Sequence, residues 1–219
     1  METVPADNGP LSDSIAASYD AAAAAYAEHL HDELAHKPLD RHLLNRFAEA
    51  TAKRGLVADL GCGPGHIAKY LHDRGVTLKG IDISKEMVRI AGEYSPGIEF
   101  ETGDMRALRL ADESLAGIVA LYSIVHFDAA ELELVARECR RVLRAGGLML
   151  LAFHIGDETN HLDELFGQPV SLDFRFHQPA DVIKILGWAH FKVIECTERE
   201  PYPDVEYQSR RCYLLAAAI

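Results

Sequence analysis

Apolar residues in this chain fall into short runs and helical stripes that alternate from about residue 55 onward. Seven apolar runs have the length and composition of strands. They are 57–60, Leu78–Asp82, Ile98–Glu101, Leu115–Tyr122, Leu148–Phe153, Phe191–Thr197 and Tyr207–Ala218. Alternation with helices is typical of a parallel sheet covered on both faces. Only a turn around 201–204 separates the last two runs, so we expect those strands to pair antiparallel.

Helical spacing of apolar positions marks six stretches. They are Ser12–Leu30, Leu39–Ala52, His66–His72, 85–94 after the N-cap Ser84, Ala129–Leu143 and Pro179–Leu186. The first two precede the sheet and are expected to form a lid. Residues 154–178 have no clean period and are predicted to be an irregular segment that covers the active site. Residues 1–10 carry Pro, Gly, Asn and Asp and are expected to fray.

Composition bounds the functions that this chain can have. With 219 residues, 48% hydrophobic and 26% charged, it has enough apolar residues for one domain with a sizeable core. A net charge of −12 opposes binding to nucleic acid or anionic membranes. The four cysteines have no C-x-x-C spacing, and no apolar run resembles a signal peptide or a membrane span. We therefore expect a reduced, cytoplasmic protein.

The most informative stretch is Val57-Ala-Asp-Leu-Gly-Cys-Gly-Pro-Gly-His-Ile67, which predicts a strand, a glycine turn and a helix start. Glycines let a ligand approach the backbone closely, and amide N–H groups at the helix start point into the same space. The G-x-G-x-G spacing is tighter than the G-x-G-x-x-G of the dinucleotide fingerprint. A carboxylate at Asp59 suits a ligand with a positive amino group and disfavours a pyrophosphate.

Two further acids follow the next strands. Asp82 ends the second strand, 19 residues after Gly63, where a doubly wound fold places the carboxylate that binds a ribose diol. Asp104 follows the third strand and could accept a hydrogen bond from the amine of a base. Acids near an amino group, a ribose and a base together indicate S-adenosylmethionine as the cofactor.

These motifs resemble those of class I S-adenosylmethionine-dependent methyltransferases of the small-molecule type. The D-L-G-C-G-P-G run, the acid-ended second strand, the Gly103–Asp104 pair and the Gly146–Gly147 turn carry the resemblance. It implies an α/β fold: a Rossmann-like three-layer sandwich with a seven-stranded, mostly parallel sheet whose last strand is antiparallel. It implies one methyltransferase domain over residues 1–219. Its expected parts are an N-terminal helical lid (about 12–52), a core (55–154 and 179–219) and a covering insertion (154–178).

The resemblance also implies roles for the residues that match the family's motifs. The expected contacts to the methionine part are Asp59, Gly61, Cys62 and Gly63, and the ribose contact is Asp82. The expected adenine contacts are Ile83, Met87, Asp104 and Met105, and Leu121 and Tyr122 would line the methyl-transfer point. On the lid, Tyr19 and Tyr26 either touch the methionine end or only pack on the core.

Catalytic candidates lie where open α/β sheets bind ligands, at the carboxyl ends of strands. His126 follows the fourth strand and His154 the fifth, so each is a candidate base, with simple packing as the alternative. Arg175 alternates with aromatic residues, and we expect it to bind an anionic end of the acceptor beside Phe127 and Phe174. The acids and histidines of 154–161 lack metal-site spacing, so no metal is expected.

The predicted function is methyl transfer by in-line displacement from S-adenosylmethionine, which leaves S-adenosylhomocysteine, to an oxygen or nitrogen of a small molecule. One alternative is a regulatory protein that binds the cofactor without catalysis. A second is an NAD-dependent oxidoreductase, which the glycine spacing and the placement of Asp104 oppose. The expected partner is a small-molecule substrate, with the protein a monomer or a homodimer.

Overall fold

The computed structural model describes the backbone of residues 10–219 and the side chains of residues 12–219. The frayed start predicted for residues 1–10 lies outside the described residues except at Pro10, where the first helix begins. Among the described residues, no helix is both long enough and apolar enough to cross a membrane.

The strands and helices alternate as the apolar pattern predicts. The strands are β1 (Leu56–Leu60), β2 (Leu78–Asp82), β3 (Glu99–Thr102), β4 (Leu115–Leu121), β5 (Leu143–His154), β6 (Thr159–Leu165), β7 (Gln168–Arg175), β8 (Phe191–Arg199) and β9 (Arg211–Ala218). The α-helices are α1 (Pro10–Leu30), α2 (Pro38–Thr51), α3 (His66–His72), α4 (Lys85–Tyr94), α5 (Ala129–Val142) and α6 (Pro179–Trp188).

Seven of the strands form one sheet in the order β3-β2-β1-β4-β5-β9-β8. The pairs from β3 to β5 are parallel, whereas β9 is antiparallel to both β5 and β8. The predicted seven-stranded sheet with an antiparallel last strand is therefore confirmed. Because β1 to β4 are parallel, their carboxyl ends lie at one edge of the sheet, where ligands bind in such folds.

Buried side chains fill a core on each face of the sheet, which confirms the three-layer arrangement. Successive residues of β4 alternate between the two cores, as the pleat of a strand requires. Ile118 packs in the core that holds Leu132 of α5, and Val119 packs in the core that holds Phe47 of α2. Ser84 caps α4, since its side chain accepts a hydrogen bond from the N–H of Met87 at 3.1 Å.

The segment predicted to be irregular contains a β-hairpin instead. In residues 154–178, β6 and β7 pair antiparallel in a separate two-stranded sheet that packs against α1. The sequence of the hairpin does not alternate clearly between apolar and polar residues, because Leu172 is the only residue of β6 and β7 that is fully buried. The apolar pattern also missed a 3₁₀ turn at Glu33–His36. Strand β5 is longer than the predicted Leu148–Phe153, since it starts at Leu143 and includes Gly146 and Gly147.

Helix α1 is docked by hydrogen bonds and by aromatic contacts. Ser18 Oγ accepts the N–H of Ser171 in β7 at 3.2 Å and lies 3.3 Å from the carbonyl oxygen of the same residue. Asp20 Oδ1 accepts hydrogen bonds from Ser84 Oγ at 2.6 Å and from the N–H of Glu86 at 3.1 Å. Tyr26 and His29 contact the ring of Phe166, between β6 and β7. The run Ala21–Ala25 adds little apolar area, so these few contacts of modest net worth hold the helix.

If α1 is a lid, its amide exchange will depend on ligand. We expect exchange across Ser14–Leu30 to slow when S-adenosylhomocysteine is added, because ligand contacts would add to the weak docking. Hydrogen-exchange mass spectrometry would measure this, with α5, which does not border the cleft described below, as the internal control. Equal protection of α1 with and without ligand would contradict the prediction.

Candidate active site

A cleft of about 770 Å³, counting the space at its mouth, lies at the carboxyl ends of β1, β2 and β4 and beneath α1. The cleft brings together most of the residues predicted for the site. They are Tyr19, Tyr26, Gly61, Gly63, Asp82, Ile83, Met87, Asp104, Met105, Leu121, Tyr122, His126 and Phe127.

The glycine turn forms one wall of the cleft. Gly61, Gly63 and Gly65 have φ values of +69°, +51° and +83°, in the left-handed region that favours glycine. A Cβ on Gly61 would lie 2.3 Å from Cβ of Ser123, so the turn packs closely against the residues that follow β4. Gly65 then caps α3. The loop therefore presents bare backbone to the cleft, as close approach by a ligand requires.

Asp82 stands opposite this turn at the end of β2. Its Oδ2 accepts the N–H of Gly63 at 2.8 Å, and its Oδ1 accepts the N–H of Ser84 at 2.9 Å. Burial raises the pKa of Asp82 above its usual value, although these amide hydrogen bonds oppose the shift. Each carboxylate oxygen keeps acceptor capacity beyond the one amide, so the group is oriented to accept from a diol in the cleft.

Asp104 lies at the far end of the cleft, held by Arg106. The Arg106 guanidinium donates to both carboxylate oxygens, and Ser12 Oγ of α1 donates to Oδ2 at 3.3 Å. Burial opposes ionisation, but these hydrogen bonds hold the pKa of Asp104 below its usual value. The carboxylate is therefore fixed in a wall of the cleft that also contains Ile83 and Met87, with both of its oxygens already accepting from Arg106.

Two buried polar atoms near the turn have no hydrogen-bond partner among the described residues. They are Asp59 Oδ2, behind the glycine turn, and Ser123 Oγ in the cleft wall. Burial raises the pKa of Asp59 to about 7. The unpaired Ser123 Oγ lies in the cleft wall and is in place to bond a polar group of a ligand, whereas Asp59 is buried behind the turn and does not line the cleft. The glycine cradle, Asp82 and Ser123 fit S-adenosylmethionine.

Comparison with known proteins agrees with this geometry. Residues 57–147 match the family model described as "Methyltransferase domain". The uncharacterized methyltransferase YcgJ of Bacillus subtilis is 33% identical over 130 residues, which cover 57% of this chain and 50% of the relative. These similarities support a class I S-adenosylmethionine-dependent methyltransferase. The chain spans from 24% to 57% of the length of the curated relatives it matches.

Two solved structures share the fold of this methyltransferase. The PH0226 protein from Pyrococcus horikoshii is 25% identical, with a TM-score of 0.63 over 89% of this chain and 90% of that chain. Magnesium protoporphyrin IX methyltransferase from Synechocystis, solved with bound S-adenosylmethionine, is 17% identical. Its TM-score is 0.72, over 99% of this chain and 100% of that chain.

At the other end of the cleft, His126 contacts α1. Its Nε2 lies 2.8 Å from the hydroxyl oxygen of Tyr19, and its Nδ1 lies 2.8 Å from the carbonyl oxygen of Asp173 in β7. Burial lowers the pKa of His126 below its usual value. Tyr26 lies beside Gly63 in the same wall, with its Cε1 3.8 Å from the position of a Cβ there.

His154 is not part of the cleft, and its expected role as a base has no support in the geometry. Its ring stacks on Phe176, and its Nδ1 lies 2.6 Å from Ser209 Oγ. Tyr122 separates it from the cleft, with ring centroids 5.2 Å apart. Burial, and then the positive charge of Arg211, lower the pKa of His154 to about 3. It is therefore a neutral packing residue, which was the alternative interpretation.

Four other predicted site residues lie outside the cleft lining. Cys62 is buried behind the turn with Asp59. Arg175 turns toward Thr159 in the hairpin, with Nη1 3.4 Å from Thr159 Oγ1, and Phe174 packs edge-on against the His126 ring. The alternation of Arg175 with aromatic residues reflects the two faces of strand β7, which the sequence pattern did not reveal. Among the described residues, no cluster of side chains could hold a metal ion.

Sequence reasoning missed a buried charge network behind Tyr122. We define the Arg199 network as Lys37, Asp40, Arg199, Glu206 and Arg211. Arg199 pairs with Asp40 at 3.1 Å and also with Glu206, which pairs with Arg211 at 3.1 Å and Lys37 at 3.6 Å.

The Arg199 network reaches the cleft through two tyrosines. Tyr213 donates to Asp40 at 2.9 Å, and its hydroxyl oxygen lies 2.7 Å from that of Tyr122. Tyr122 has a φ of +57°, an uncommon conformation for a bulky residue that needs support from its surroundings. The network therefore supports the residue that follows β4. No local signal marks the network, because its paired members are as far apart along the chain as Lys37 and Glu206.

Proposed function

We propose that this protein transfers a methyl group from S-adenosylmethionine to an oxygen or nitrogen of a small molecule. The observation that carries the proposal is the position of Asp82, a buried carboxylate fixed by two amides and facing the cleft opposite a bare glycine turn. This pairing suits a ribose diol on a ligand whose other end lies along the turn.

The chain's own residues would hold the cofactor along the whole cleft. Asp82 would accept from the ribose hydroxyls, Ile83 and Met87 would contact the faces of adenine, and Asp104 would accept from its amine. The turn at Gly61–Gly63 and Tyr26 would lie along the methionine end. The bound cofactor supplies an electrophilic methyl group, so the main task of the protein is to align the acceptor with it.

The other end of the cleft supports a small acceptor. Leu121, Tyr122 and Phe127 give it an apolar wall, and His126 is the titratable group there. A polymer such as nucleic acid would need a positive surface, which a protein of net charge −12 does not favour. Arg175 lies outside this wall and is left out of the proposal.

Binding and turnover experiments would test the proposal in two steps. Isothermal titration calorimetry should show binding of S-adenosylmethionine and S-adenosylhomocysteine, with no binding of NAD at the same concentrations. A screen of a metabolite library for S-adenosylhomocysteine production would then identify the acceptor. NAD binding in place of S-adenosylmethionine would favour an oxidoreductase, and cofactor binding without any turnover would favour a regulatory protein.

A further inference from the structure

Three separate elements meet at His126. Tyr19 comes from the lid helix α1, His126 from the loop after β4, and Asp173 from β7 of the hairpin. The two ring nitrogens of His126 each lie 2.8 Å from an oxygen, one from Tyr19 and one from the backbone of Asp173. Tyr19 and His126 both line the cleft, with their rings edge-on and the centroids 5.4 Å apart.

The chemistry of these contacts fixes the tautomer of His126. A carbonyl oxygen can only accept, so Nδ1 must carry the proton and donate to Asp173. In the neutral ring Nε2 is then a bare acceptor, and the Tyr19 hydroxyl must donate to it. The lone pairs of the Tyr19 oxygen remain available to accept a hydrogen bond from a group in the cleft.

We propose that Tyr19 and His126 form a proton relay, and that the acceptor is a hydroxyl or a protonated amine. The inference rests on the methyltransferase function proposed above and adds to it the class of acceptor. A carboxylate or a thioether has no proton to lose at neutral pH, so methylation of either would not use the relay. The residues assigned to the relay are Tyr19 as the group that takes the acceptor's proton and His126 as the group that receives it next.

The step balances in atoms and charge. The acceptor's oxygen or nitrogen forms a bond to the methyl carbon while the methyl–sulfur bond breaks, and that electron pair stays on sulfur. The acceptor's proton moves to the Tyr19 oxygen, and the proton of Tyr19 moves to His126 Nε2. A hydroxyl can lose its proton as the new bond forms, and the positive charge that was on sulfur then ends on the imidazolium. A protonated amine must lose its proton first, because only the neutral nitrogen has a lone pair; the imidazolium then takes the charge of the amine, and the methylated nitrogen takes the charge that was on sulfur. In both cases Nδ1–H of the imidazolium still donates to the Asp173 carbonyl. The imidazolium then loses its proton to water.

The surroundings of the relay favour its neutral starting form. Burial raises the pKa of Tyr19, with smaller effects from Tyr26 and Asp82, so Tyr19 holds its proton until His126 accepts it. Burial and the charge of Arg175 keep the pKa of His126 below its usual value, against the influence of Asp173. The carboxylate of Asp173 is itself in contact with His161, with its Oδ1 2.7 Å from Nδ1 of that ring.

The docking of α1 is what brings Tyr19 to His126 and so assembles the relay. Ser18 and Ser171 join α1 to β7 directly beside Tyr19 and two residues from Asp173. When α1 is undocked, Tyr19 leaves His126, and the relay has no first member. The proton pathway therefore exists only while the cleft is covered, which would keep bulk water from competing for the acceptor site.

Nuclear magnetic resonance of histidine-labelled protein would test the relay without an acceptor. We expect His126, assigned by its absence from spectra of His126→Gln, to be the Nδ1–H tautomer with a pKa below 6.5. In Tyr19→Phe the neutral ring loses its donor, so the pKa of His126 should rise by roughly half a unit to one unit. Tyr70→Phe removes a hydroxyl outside the cleft, bonded to Asn45, and should leave that pKa unchanged.

Two results would overturn the relay: an Nε2–H tautomer in the unaltered protein, or an unchanged His126 pKa in Tyr19→Phe. The tautomer is measured without any substitution, so a variant that fails to fold leaves the test intact. Failure of S-adenosylhomocysteine to bind would instead refute the proposed function while the titration remains readable.

With an acceptor from the library screen, turnover would separate proton transfer from simple hydrogen bonding. His126→Gln retains an oxygen that can accept from Tyr19 but cannot take its proton. We expect kcat to fall on the order of 100-fold in His126→Gln and in Tyr19→Phe, with S-adenosylhomocysteine affinity within about twofold of the unaltered protein. An unchanged kcat in His126→Gln, or a carboxylate as the acceptor, would contradict the relay.

Discussion

Replacing Asp82 with alanine is expected to weaken binding of S-adenosylhomocysteine by roughly 10- to 150-fold. Hydrogen bonds to a charged group contribute about 1.5–3 kcal/mol, and every 1.4 kcal/mol changes the dissociation constant about tenfold. Asp82 would lose its contacts to the ribose, and the N–H groups of Gly63 and Ser84 would lose their acceptor. Calorimetric titration of S-adenosylhomocysteine would measure the change.

Two further variants make this result specific. Asp82→Asn keeps one acceptor oxygen without the charge, so its affinity for S-adenosylhomocysteine should lie between those of Asp82→Ala and the unaltered protein. Asp73→Ala removes an exposed acid that pairs only with Lys69 and should leave binding unchanged. Thermal unfolding of each variant would separate lost affinity from lost structure. A folded Asp82→Ala protein with unaltered affinity would rule out Asp82 as the ribose contact.

Replacing Arg199 with methionine is expected to lower the free energy of unfolding by about 3–5 kcal/mol. The side chains of Asp40 and Glu206 are 1% and 3% exposed, so removing Arg199 leaves two buried carboxylates with less compensation. Tyr213 would also lose the guanidinium N–H that it accepts at 3.0 Å. Equilibrium unfolding in urea, followed by circular dichroism, would measure the loss.

Arg210→Met is the matched control, because Arg210 is adjacent to the network in sequence but exposed. Its side chain is 53% exposed and pairs with Glu198 on the surface, a contact of small net worth. We expect Arg210→Met to change the free energy of unfolding by about 0.5 kcal/mol or less. Equal losses in the two variants would show that the Arg199 network does not stabilise the fold more than a surface ion pair.

Local chemistry explains why the sheet and the cofactor end were predictable. The run from Leu115 is buried on both sides of the sheet, so its residues must be apolar and the strand is visible in the sequence. Gly61 must be glycine because its φ is +69° and a Cβ there would lie 2.3 Å from Cβ of Ser123. Asp82 must end a strand to face the cleft. In each case one short stretch contains both the structural requirement and the chemical group.

The acceptor end depends on contacts between distant parts of the chain, which local patterns do not record. His154 is the last residue of β5, and His126 lies in the loop after β4. His126 meets Tyr19, whereas His154 meets Ser209 and Phe176. The Tyr122 ring lies between His154 and the cleft, and its hydroxyl lies 3.5 Å from Oδ1 of Asp40, 82 positions away. The hairpin was missed because its outer face is polar and its inner face meets a helix rich in alanine.

The position of β9 between β5 and β8 has a consequence for folding during synthesis. Strand β8 pairs only with β9, so its backbone groups stay without a sheet partner until residues 211–218 leave the ribosome. The parallel strands β1 to β5 can associate earlier, but β5 then presents an open edge to the same late strand. Until that strand arrives, two strand edges have no partner at the same time, which favours aggregation or chaperone binding. A pause in translation before residue 211 would therefore prolong the state in which this protein is most vulnerable.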